Sequence, residues 1–461
     1  GYKTKDEQGR EYWAYGGDLN GYNKRNTTNF CMDGIITPDQ EYMPHTYVVK
    51  KVYQNILFEA KDPGNGVITV INDFKFTDLT NKNYSYKWVL LKNGEKAGEG
   101  TFDVTVPADS KKEVKLNLPD LKTAAGTEYY LQVYAYSKED TKFVPAGFEV
   151  AKEEFAFTSN NYFTASNSDA KTLDIKAEDN KLIVTAGSTG YTFSTADGKT
   201  LLGITNNGKR VLSELPTLNF WRAPNDNEFG ENAQYRLSLW AGAGQNVIYT
   251  YKGKQENNGN VILVYQAKLR GIEASVDLIY TINRDGSLTT KADYKALSDD
   301  LPEMMRFGMI MSLPKDYNDF TWYGRGPWEN YIDRNTETFM GIWQGKVEEQ
   351  AYPYYRPQET GNKTDVRWLT LLNKEGKGIK VSGIQPLSVS ATNNRPEDLD
   401  AGLTKKQQHA SDIQPRHETV LCVDLFQRGV GGLNSWGSKP LDKYRFQEKE
   451  YSYSYTIQVI D

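Results

Sequence analysis

The spacing of apolar residues changes along the chain, and each change predicts a different kind of structure. After Pro44, the apolar residues Val48, Val52 and Ile56 recur at intervals of four, which is typical of one face of an α-helix. Proline is favoured in the first turn of a helix, where its missing N–H is not needed. The pattern therefore predicts a helix that begins at Pro44. His45 falls in its first turn, where a structural hydrogen bond is favoured over a catalytic role.

Residues 57–157 have a different pattern, in which apolar and polar positions alternate as they do in half-buried strands. The clearest run consists of Tyr84, Tyr86, Trp88 and Leu90. The pair Asn93-Gly94 follows it and is a strong signal for a tight hairpin turn. About one hundred residues of short strands predict one immunoglobulin-like sandwich. Residues 158–171 are rich in Asn, Ser and Ala, which predicts a linker.

Residues 172–461 form a long succession of strand patterns, such as residues 261–265 and the alternating apolar positions of 276–280 and 451–459. One helical pattern interrupts them at residues 231–241, before Gly242 and Gly244. A stretch of this length is too large for a small sandwich. It predicts a large antiparallel supersandwich of two sheets, because stacked sheets leave fewer edges exposed. The predicted fold class is therefore mainly β.

Charge and composition exclude several functional classes. The 461 residues contain 55 Lys and Arg against 60 Asp and Glu, a net charge of -5, which gives no support to nucleic-acid binding. No uninterrupted apolar run reaches the roughly 18 residues of a membrane span, so no membrane partner is expected. Cys31 and Cys422 are too few for a disulfide scaffold, and three histidines leave little room for a zinc site. The sequence leaves the cellular location undetermined between cytoplasm and periplasm.

Aromatic residues are abundant, with 31 Tyr, 18 Phe and 9 Trp. Packing within sheets accounts for most of them. Tyr and Trp also stack on sugar rings, because they combine an apolar face with a polar tip. There is no GxSxG elbow and no phosphate-binding P-loop. The residues alone therefore indicate a multidomain β protein that could bind carbohydrate, without naming a reaction.

Four motifs occur in order along the chain and are more specific. They are YGGD at 15–18 followed by NTTNFCMDGI at 26–35, RAPNDN at 222–227, GRGPWENY at 324–331, and GVGGLNSWG at 429–437. Together they resemble the C-terminal part of the family-2 glycoside hydrolases, specifically the large bacterial β-galactosidases. The order and spacing match this family over essentially the whole chain.

This resemblance implies a domain order and an activity. Residues 1–56 would be the end of a (β/α)8 catalytic barrel, 57–157 an immunoglobulin-like domain, and 172–461 a galactose mutarotase-like supersandwich. The family hydrolyses terminal β-D-galactosides with retention of configuration. Its two catalytic glutamates lie on earlier barrel strands, so the resemblance places no catalytic residue in this chain and implies that the chain alone is inactive. The expected partners are a galactoside substrate and the missing N-terminal domains, and a homo-oligomer is left open.

The resemblance also implies roles for particular residues. Trp436 would bind substrate by covering the apolar face of a hexose, and the alternative is a loop tryptophan that packs on its own sandwich. The carbonyl oxygen of Phe30 and the side chain of Asp33, where the family has Asn, would bind a sodium ion. Asn26 would lie in the outer shell of a magnesium site. The alternative for these Asn and Asp residues is an ordinary turn.

Two further groups have structural interpretations. The loop at 357–361 carries Glu359 and is interpreted as a cleft rim or a surface loop. Asp226 and Asn227, beside Arg222, are interpreted as a buried ion-pair cluster.

Three alternative functions remain open at this stage. The supersandwich also resembles aldose 1-epimerases, which need a positioned His and a carboxylate. His409 and His417 lie in a polar stretch without a recognisable motif, which disfavours that function. A non-catalytic carbohydrate-binding module is the second alternative. The third is a family-2 hydrolase of other specificity, such as a glucuronidase or mannosidase.

Overall fold

The computed structural model describes residues 1–18, 32, 34–157, 159–164, 172–434 and 436–461. Antiparallel strands dominate it, so the predicted mainly β fold is confirmed. Among the helices of these residues, none is long and apolar enough to cross a membrane.

In the described part of the N-terminal segment, a hairpin is followed by a 3-10 turn at Gly16–Asp18 and an α-helix. The strands β1 (Tyr2–Lys5) and β2 (Glu11–Ala14) pair antiparallel, and the helix α1 (Pro44–Val52) begins at the predicted proline. The helix ends before Ile56, which opens the next strand and does not continue the helical stripe as the spacing had suggested.

An immunoglobulin-like sandwich follows. A three-stranded sheet has the order β3-β4-β7 and a four-stranded sheet the order β6-β5-β8-β9. The strands are β3 (Ile56–Asp62), β4 (Val67–Asn72), β5 (Tyr84–Lys92), β6 (Glu95–Phe102), β7 (Ser110–Lys115), β8 (Tyr129–Ser137) and β9 (Glu149–Ala156). The predicted hairpin turn joins β5 to β6, where Asn93 and Gly94 have positive φ angles of 50° and 84°. Both positions of a type I′ turn need such angles, which explains the Asn-Gly pair.

The strand β8 is buried on both faces. Leu131 and Val133 belong to the core of the sandwich. On the other face, the Gln132 side-chain amide donates a hydrogen bond of 2.9 Å to the carbonyl oxygen of Met340, in the C-terminal region. The immunoglobulin-like sandwich therefore packs directly against that region.

The C-terminal region contains two sheets. The five-stranded sheet has the order β10 (Asp174–Glu178), β11 (Lys181–Ala186), β12 (Thr189–Ser194), β13 (Leu201–Asn206) and β14 (Lys209–Arg210). The twelve-stranded sheet contains β15 (Glu214–Asn219), β16 (Val247–Asn257), β17 (Asn260–Leu269), β18 (Ala274–Ile282), β19 (Leu288–Ala296), β20 (Arg306–Pro314), β21 (Asp319–Gly326), β22 (Phe339–Lys346), β23 (Lys363–Leu372), β24 (Gly378–Thr392), β25 (Glu418–Gln427) and β26 (Glu450–Ile460).

The main path of the larger sheet runs β15-β20-β25-β24-β26-β19-β18-β17-β16, and β23 links β21 and β22 to β24. Both sheets contribute to one hydrophobic core, for example through Tyr191 of β12 and Tyr280 of β18. The strand patterns at 261–265, 276–280 and 451–459 lie in β17, β18 and β26, as predicted.

The helical interruption starts earlier than predicted and is broken into pieces. Its parts are α2 (Asp226–Gly230), α3 (Ala233–Arg236) and a 3-10 turn at Ser238–Trp240. Asn225 caps α2 by accepting a 3.0 Å hydrogen bond from the amide of Glu228, whose carboxylate accepts one from the Asn225 amide. Asn232 has a left-handed backbone with φ of 60°, which separates α2 from α3. A fourth short helix, α4, spans Pro396–Leu399.

Of the predicted linker 158–171, residues 159–164 are described. The ring of Tyr162 packs edge-on against Tyr323, with 5.6 Å between the ring centroids.

Candidate functional site

A cavity of about 1200 Å³ lies where the N-terminal segment meets the loops of the twelve-stranded sheet. Its walls come from several separate stretches of sequence. The residues that line it include Tyr15, His45, Asp226, Asn227, Phe229, Gln234, Tyr235, Glu329, Arg334, Tyr354, Arg356, Glu359, Lys405, Val430, Gly431 and Trp436. All four sequence motifs therefore contribute residues to this one cavity.

Glu329, from the GRGPWENY motif, forms a fully paired carboxylate in the wall. One oxygen accepts hydrogen bonds from the Tyr354 hydroxyl and, at 2.5 Å, from the Arg334 guanidinium. The other accepts them from the Thr360 hydroxyl at 2.8 Å and the Gly361 amide at 2.7 Å. Burial alone would raise the pKa of Glu329, but the Arg334 charge and these donors lower it below its ordinary value. The Glu329 carboxylate is therefore a fixed negative charge, and each of its oxygens already accepts two hydrogen bonds.

Glu359 lies in the same wall, so the 357–361 loop is not a surface loop. Gln427 donates a 3.2 Å hydrogen bond to its carboxylate. Burial raises the pKa of Glu359 above its ordinary value, although Arg306 and Arg222 counteract the effect. Glu359 is therefore easier to protonate than the neighbouring Glu329.

Asp226 forms a second charged group on the cavity surface. Its Oδ1 atom accepts hydrogen bonds from Arg356 at 3.0 and 2.8 Å and lies 2.7 Å from the Lys405 ammonium. Burial alone would raise the pKa of Asp226, but these two cations lower it below its ordinary value. Both cations also lie over the ring of Phe229, at 4.8 and 5.6 Å from its centroid.

The predicted ion-pair cluster of Arg222 with Asp226 and Asn227 is wrong, because the acidic partner of Arg222 is Glu228. Arg222 forms a two-pronged pair with Glu228, with both distances at 2.8 Å, and Arg428 reaches the same carboxylate at 2.9 Å. The capping geometry of α2 turns Glu228 inward, and Asp226 and Asn227 line the cavity.

Trp436 lies on the loop at 429–437, which the fold holds against the cavity. The Asp333 carboxylate accepts hydrogen bonds from the amides of Val430 at 3.1 Å and Gly431 at 2.8 Å. A Cβ atom at Gly429 would lie only 2.5 Å from the same carboxylate, so this close approach requires glycine. Trp436 is 77% exposed and lines the cavity, so much of its large flat side chain is accessible there.

The N-terminal segment also contributes lining residues, among them Tyr15 and His45. The Tyr15 hydroxyl donates a 2.5 Å hydrogen bond to the carbonyl oxygen of Gln408, and the Asp18 carboxylate lies 2.9 Å from Nε2 of His409. His409 also packs against Tyr15 and Tyr12 and does not line the cavity. These contacts attach the segment to the large sheet.

His45 faces the cavity from the first turn of α1. Burial and the nearby Arg334 charge lower the pKa of His45 below its ordinary value, although a hydrogen bond to the Gly34 backbone opposes this. The ring is therefore neutral at neutral pH.

The residues predicted to hold metal ions, Phe30, Asp33 and Asn26, lie outside the described residues. Within the described part of the chain, no group of three or more His, Cys, Asp or Glu is arranged to hold a metal ion. The sodium and magnesium sites remain predictions.

Sequence reasoning did not assign several residues that shape this cavity, namely Glu329, Arg334, Arg356 and Lys405. Glu329 belongs to the GRGPWENY motif, which was recognised in the sequence, but no role was assigned to its glutamate. Arg356 directly precedes the 357–361 loop. Nothing local in the sequence marks Lys405, which reaches Asp226 from a distant stretch of chain.

Chemically, the cavity combines flat aromatic surfaces with fixed charges and hydrogen-bonding groups. Aromatic rings suit the apolar face of a sugar, and fixed polar groups suit its hydroxyls. The arrangement is suited to binding a carbohydrate.

Comparison with known families gives a consistent result. The family model described as "Beta galactosidase small chain" matches residues 185–457. The model "Beta-galactosidase, domain 4" matches residues 68–158, and "Glycosyl hydrolases family 2, TIM barrel domain" matches residues 1–58.

Individual relatives agree with these matches. A "Beta-galactosidase" of Priestia megaterium is 31% identical over 98% of this chain and 43% of its own length. Proteins of the same name from Halalkalibacterium halodurans and Streptococcus thermophilus are 28% and 25% identical, over 95% and 100% of this chain. The chain spans 42% and 43% of their lengths, so it corresponds to less than half of these relatives.

Proposed function

We propose that this chain is the C-terminal part of a retaining β-galactosidase, because it belongs to the β-galactosidase small-chain family of glycoside hydrolases. The whole enzyme would release galactose from terminal β-D-galactosides such as lactose. The two catalytic glutamates would lie in the part of the enzyme that precedes residue 1. This chain would supply part of the rim of the active site.

One observation carries the proposal: a single cavity is lined both by the segment that matches the catalytic-barrel family and by Trp436 of the terminal sheet. A retaining glycosidase needs two carboxyl groups about 5 Å apart, one of them a free nucleophile. Glu329 is poorly suited to that role, because four donors already engage its oxygens. In the proposal, Glu329 fixes the wall of the cavity and Trp436 covers the sugar.

We further propose that a sodium ion binds the Phe30 carbonyl oxygen and the Asp33 side chain in the whole enzyme. Hard cations prefer oxygen ligands, and a carboxylate binds them at least as readily as an amide. Asn26 would lie in the outer shell of a magnesium ion.

The direct test is turnover by the complete protein. We expect cleavage of nitrophenyl β-galactoside to exceed cleavage of the matching β-glucuronide and β-mannoside, with the β-anomer of galactose released first. Preference for another sugar would replace the proposed substrate with that sugar, while interconversion of galactose anomers without hydrolysis would favour an epimerase.

The same assay tests the role of this part of the chain. Residues 1–461 alone should give no turnover above background, because the catalytic carboxylates would be absent. Activity that persists through repurification and disappears when a carboxylate of this chain is replaced would contradict the proposal.

A further inference from the structure

The cavity carries a second exposed aromatic residue to which the family resemblance gives no role. Tyr235 of α3 is 52% exposed and lines the cavity, as Trp436 does. We propose that Tyr235 and the adjacent Gln234 form an additional sugar subsite, which binds a ring beyond the terminal galactose of an oligosaccharide substrate. This inference rests on the proposed function and specifies its substrate class further.

The fold fixes the direction in which Tyr235 points. Ala233 and Leu237 are fully buried and pack with Met305 in one small apolar cluster. Successive helical residues are turned by about 100°, so positions four apart share a face and the position between them faces away. Tyr235 therefore lies on the side of α3 opposite its buried face.

Ion pairs anchor this short helix. Arg236, the neighbour of Tyr235, lies 2.9 Å from the Glu231 carboxylate and 3.2 Å from that of Glu303. Both glutamates are also held by the buried Arg428. An aromatic ring on an anchored element loses little conformational freedom when a ligand stacks on it, which favours binding.

Gln234, the neighbour of Tyr235 in sequence, adds a polar group to the cavity lining. Its side chain is only 6% exposed and lines the cavity, and its Oε1 atom has no hydrogen-bond partner among the described residues. A buried amide oxygen without a partner costs free energy. A small rotation of the amide would let this oxygen accept a hydrogen bond from a sugar hydroxyl, which would remove that cost.

The position of Tyr235 is continuous with that of Trp436. A Cβ atom at Gly437 would lie 3.6 Å from the carbonyl oxygen of Gly230, where α2 ends just before α3. The two aromatic residues thus belong to adjacent segments of the cavity lining. Tyr235 and Gln234 are uncharged, and the charge of Arg236 is paired, so the expected occupant is a neutral sugar ring.

The test compares substrates of increasing length in the complete protein. The variant Tyr235→Ala should lower kcat/KM for the trisaccharide galactosyl-lactose roughly five- to tenfold, the size expected for one aromatic contact. It should leave kcat/KM for nitrophenyl β-galactoside within about twofold, since that substrate has a single sugar ring. Tyr235→Phe should retain trisaccharide turnover, because the ring remains.

Leu239→Ala is the matched control, because Leu239 is 39% exposed just beyond α3 and does not line the cavity. The Leu239→Ala variant should leave kcat/KM unchanged for both substrates. An equal loss on both substrates, or no loss on the trisaccharide, in Tyr235→Ala would overturn the subsite.

A binding measurement distinguishes failure of this inference from failure of the proposed function. If the complete protein cleaves no galactoside, the proposed function fails, and calorimetric titration with galactosyl-lactose then tests the subsite. Weaker binding to Tyr235→Ala than to the unaltered protein would support it. Equal binding, or none to either protein, would overturn it.

Discussion

The Oδ2 atom of Asp333 accepts a 2.8 Å hydrogen bond from the backbone amide of Gly431. A second bond, from the Val430 amide to Oδ1, makes this one carboxylate the anchor of the loop that carries Trp436. The loop contributes no regular secondary structure at these positions. Its placement at the cavity therefore depends on this side chain and on glycines that allow close approach.

Removing that anchor should weaken substrate binding. In the complete protein, we expect Asp333→Ala to raise KM for nitrophenyl β-galactoside roughly tenfold, because hydrogen bonds to a charged acceptor are worth about 1.5–3 kcal/mol. The melting temperature should change little, since the loop is at the surface of the cavity. Asp319→Ala, which breaks an exposed pair with Lys346, is the control. A KM equal to that of the control would show that Asp333 does not hold the site.

The contact between the immunoglobulin-like sandwich and the large sheet should depend on Arg367 and Glu128. Their buried guanidinium and carboxylate form two hydrogen bonds, of 2.9 and 3.0 Å. Arg367→Ala leaves a buried carboxylate unpaired, so we expect a loss of about 3–5 kcal/mol in the free energy of unfolding, measured with urea. The double variant Arg367→Met/Glu128→Leu should lose less.

An exposed pair provides the comparison. Lys61→Ala removes a pair with Glu113 in which both side chains are more than half exposed, and should cost less than about 1 kcal/mol. If Arg367→Ala costs no more than Lys61→Ala, the buried pair does not stabilise the contact.

Glu154 should make stability depend on pH. Burial raises the pKa of Glu154 to about 7, despite the opposing effect of Arg325. Because the folded pKa lies above the ordinary value of 4.5, the folded protein binds more protons than the unfolded chain between these pH values. The contribution of this group to stability is therefore lost as pH rises from about 4.5 to about 7.

The variant Glu154→Gln should lack this dependence. Relative to the variant, the unaltered protein should lose melting temperature as pH increases through that range. A difference between the two proteins that stays constant, or that changes in the opposite direction, would show that Glu154 is not held with a raised pKa.

The proposed sodium site makes a prediction for Asp33. In the complete protein, sodium should increase activity, and the unaltered protein should reach half of the effect at a sodium concentration no higher than Asp33→Asn requires. The carboxylate supplies a full charge where the amide supplies only a dipole, and divalent ions should gain more from it. If neither protein responds to sodium or to another cation, Asp33 is a turn residue only.

Local patterns in the sequence predicted much of the fold. The alternation of apolar and polar residues predicted β26. The Asn93-Gly94 pair predicted the hairpin turn, and Pro44 predicted the start of α1. These features depend on neighbouring residues. The helical segment predicted at 231–241 is present, but its bounds were wrong. The capping side chain of Asn225 starts the helical region earlier, and the left-handed Asn232 separates α2 from α3.

The site was less accessible to sequence reasoning. A motif allowed Trp436 to be assigned to the cavity. Its anchor Asp333 lies about a hundred residues earlier and accepts hydrogen bonds from backbone amides, which no sequence pattern reveals. Arg222 was paired with the wrong neighbour, because helix geometry rather than distance along the chain decides that Glu228 turns inward. Only the folded chain brings Lys405 to Asp226.

The most direct measurement of the central claim is kcat/KM for nitrophenyl β-galactoside in the complete protein carrying Trp436→Ala, beside Leu433→Ala from the same loop. Leu433 is 88% exposed and does not line the cavity, so its variant should match the unaltered protein. We predict a roughly tenfold or larger fall for Trp436→Ala with an unchanged melting temperature, because stacking on the sugar is lost and no core is disturbed. Unchanged kinetics, or a large drop in melting temperature with normal KM, would contradict the claim that this cavity binds the substrate of a β-galactosidase.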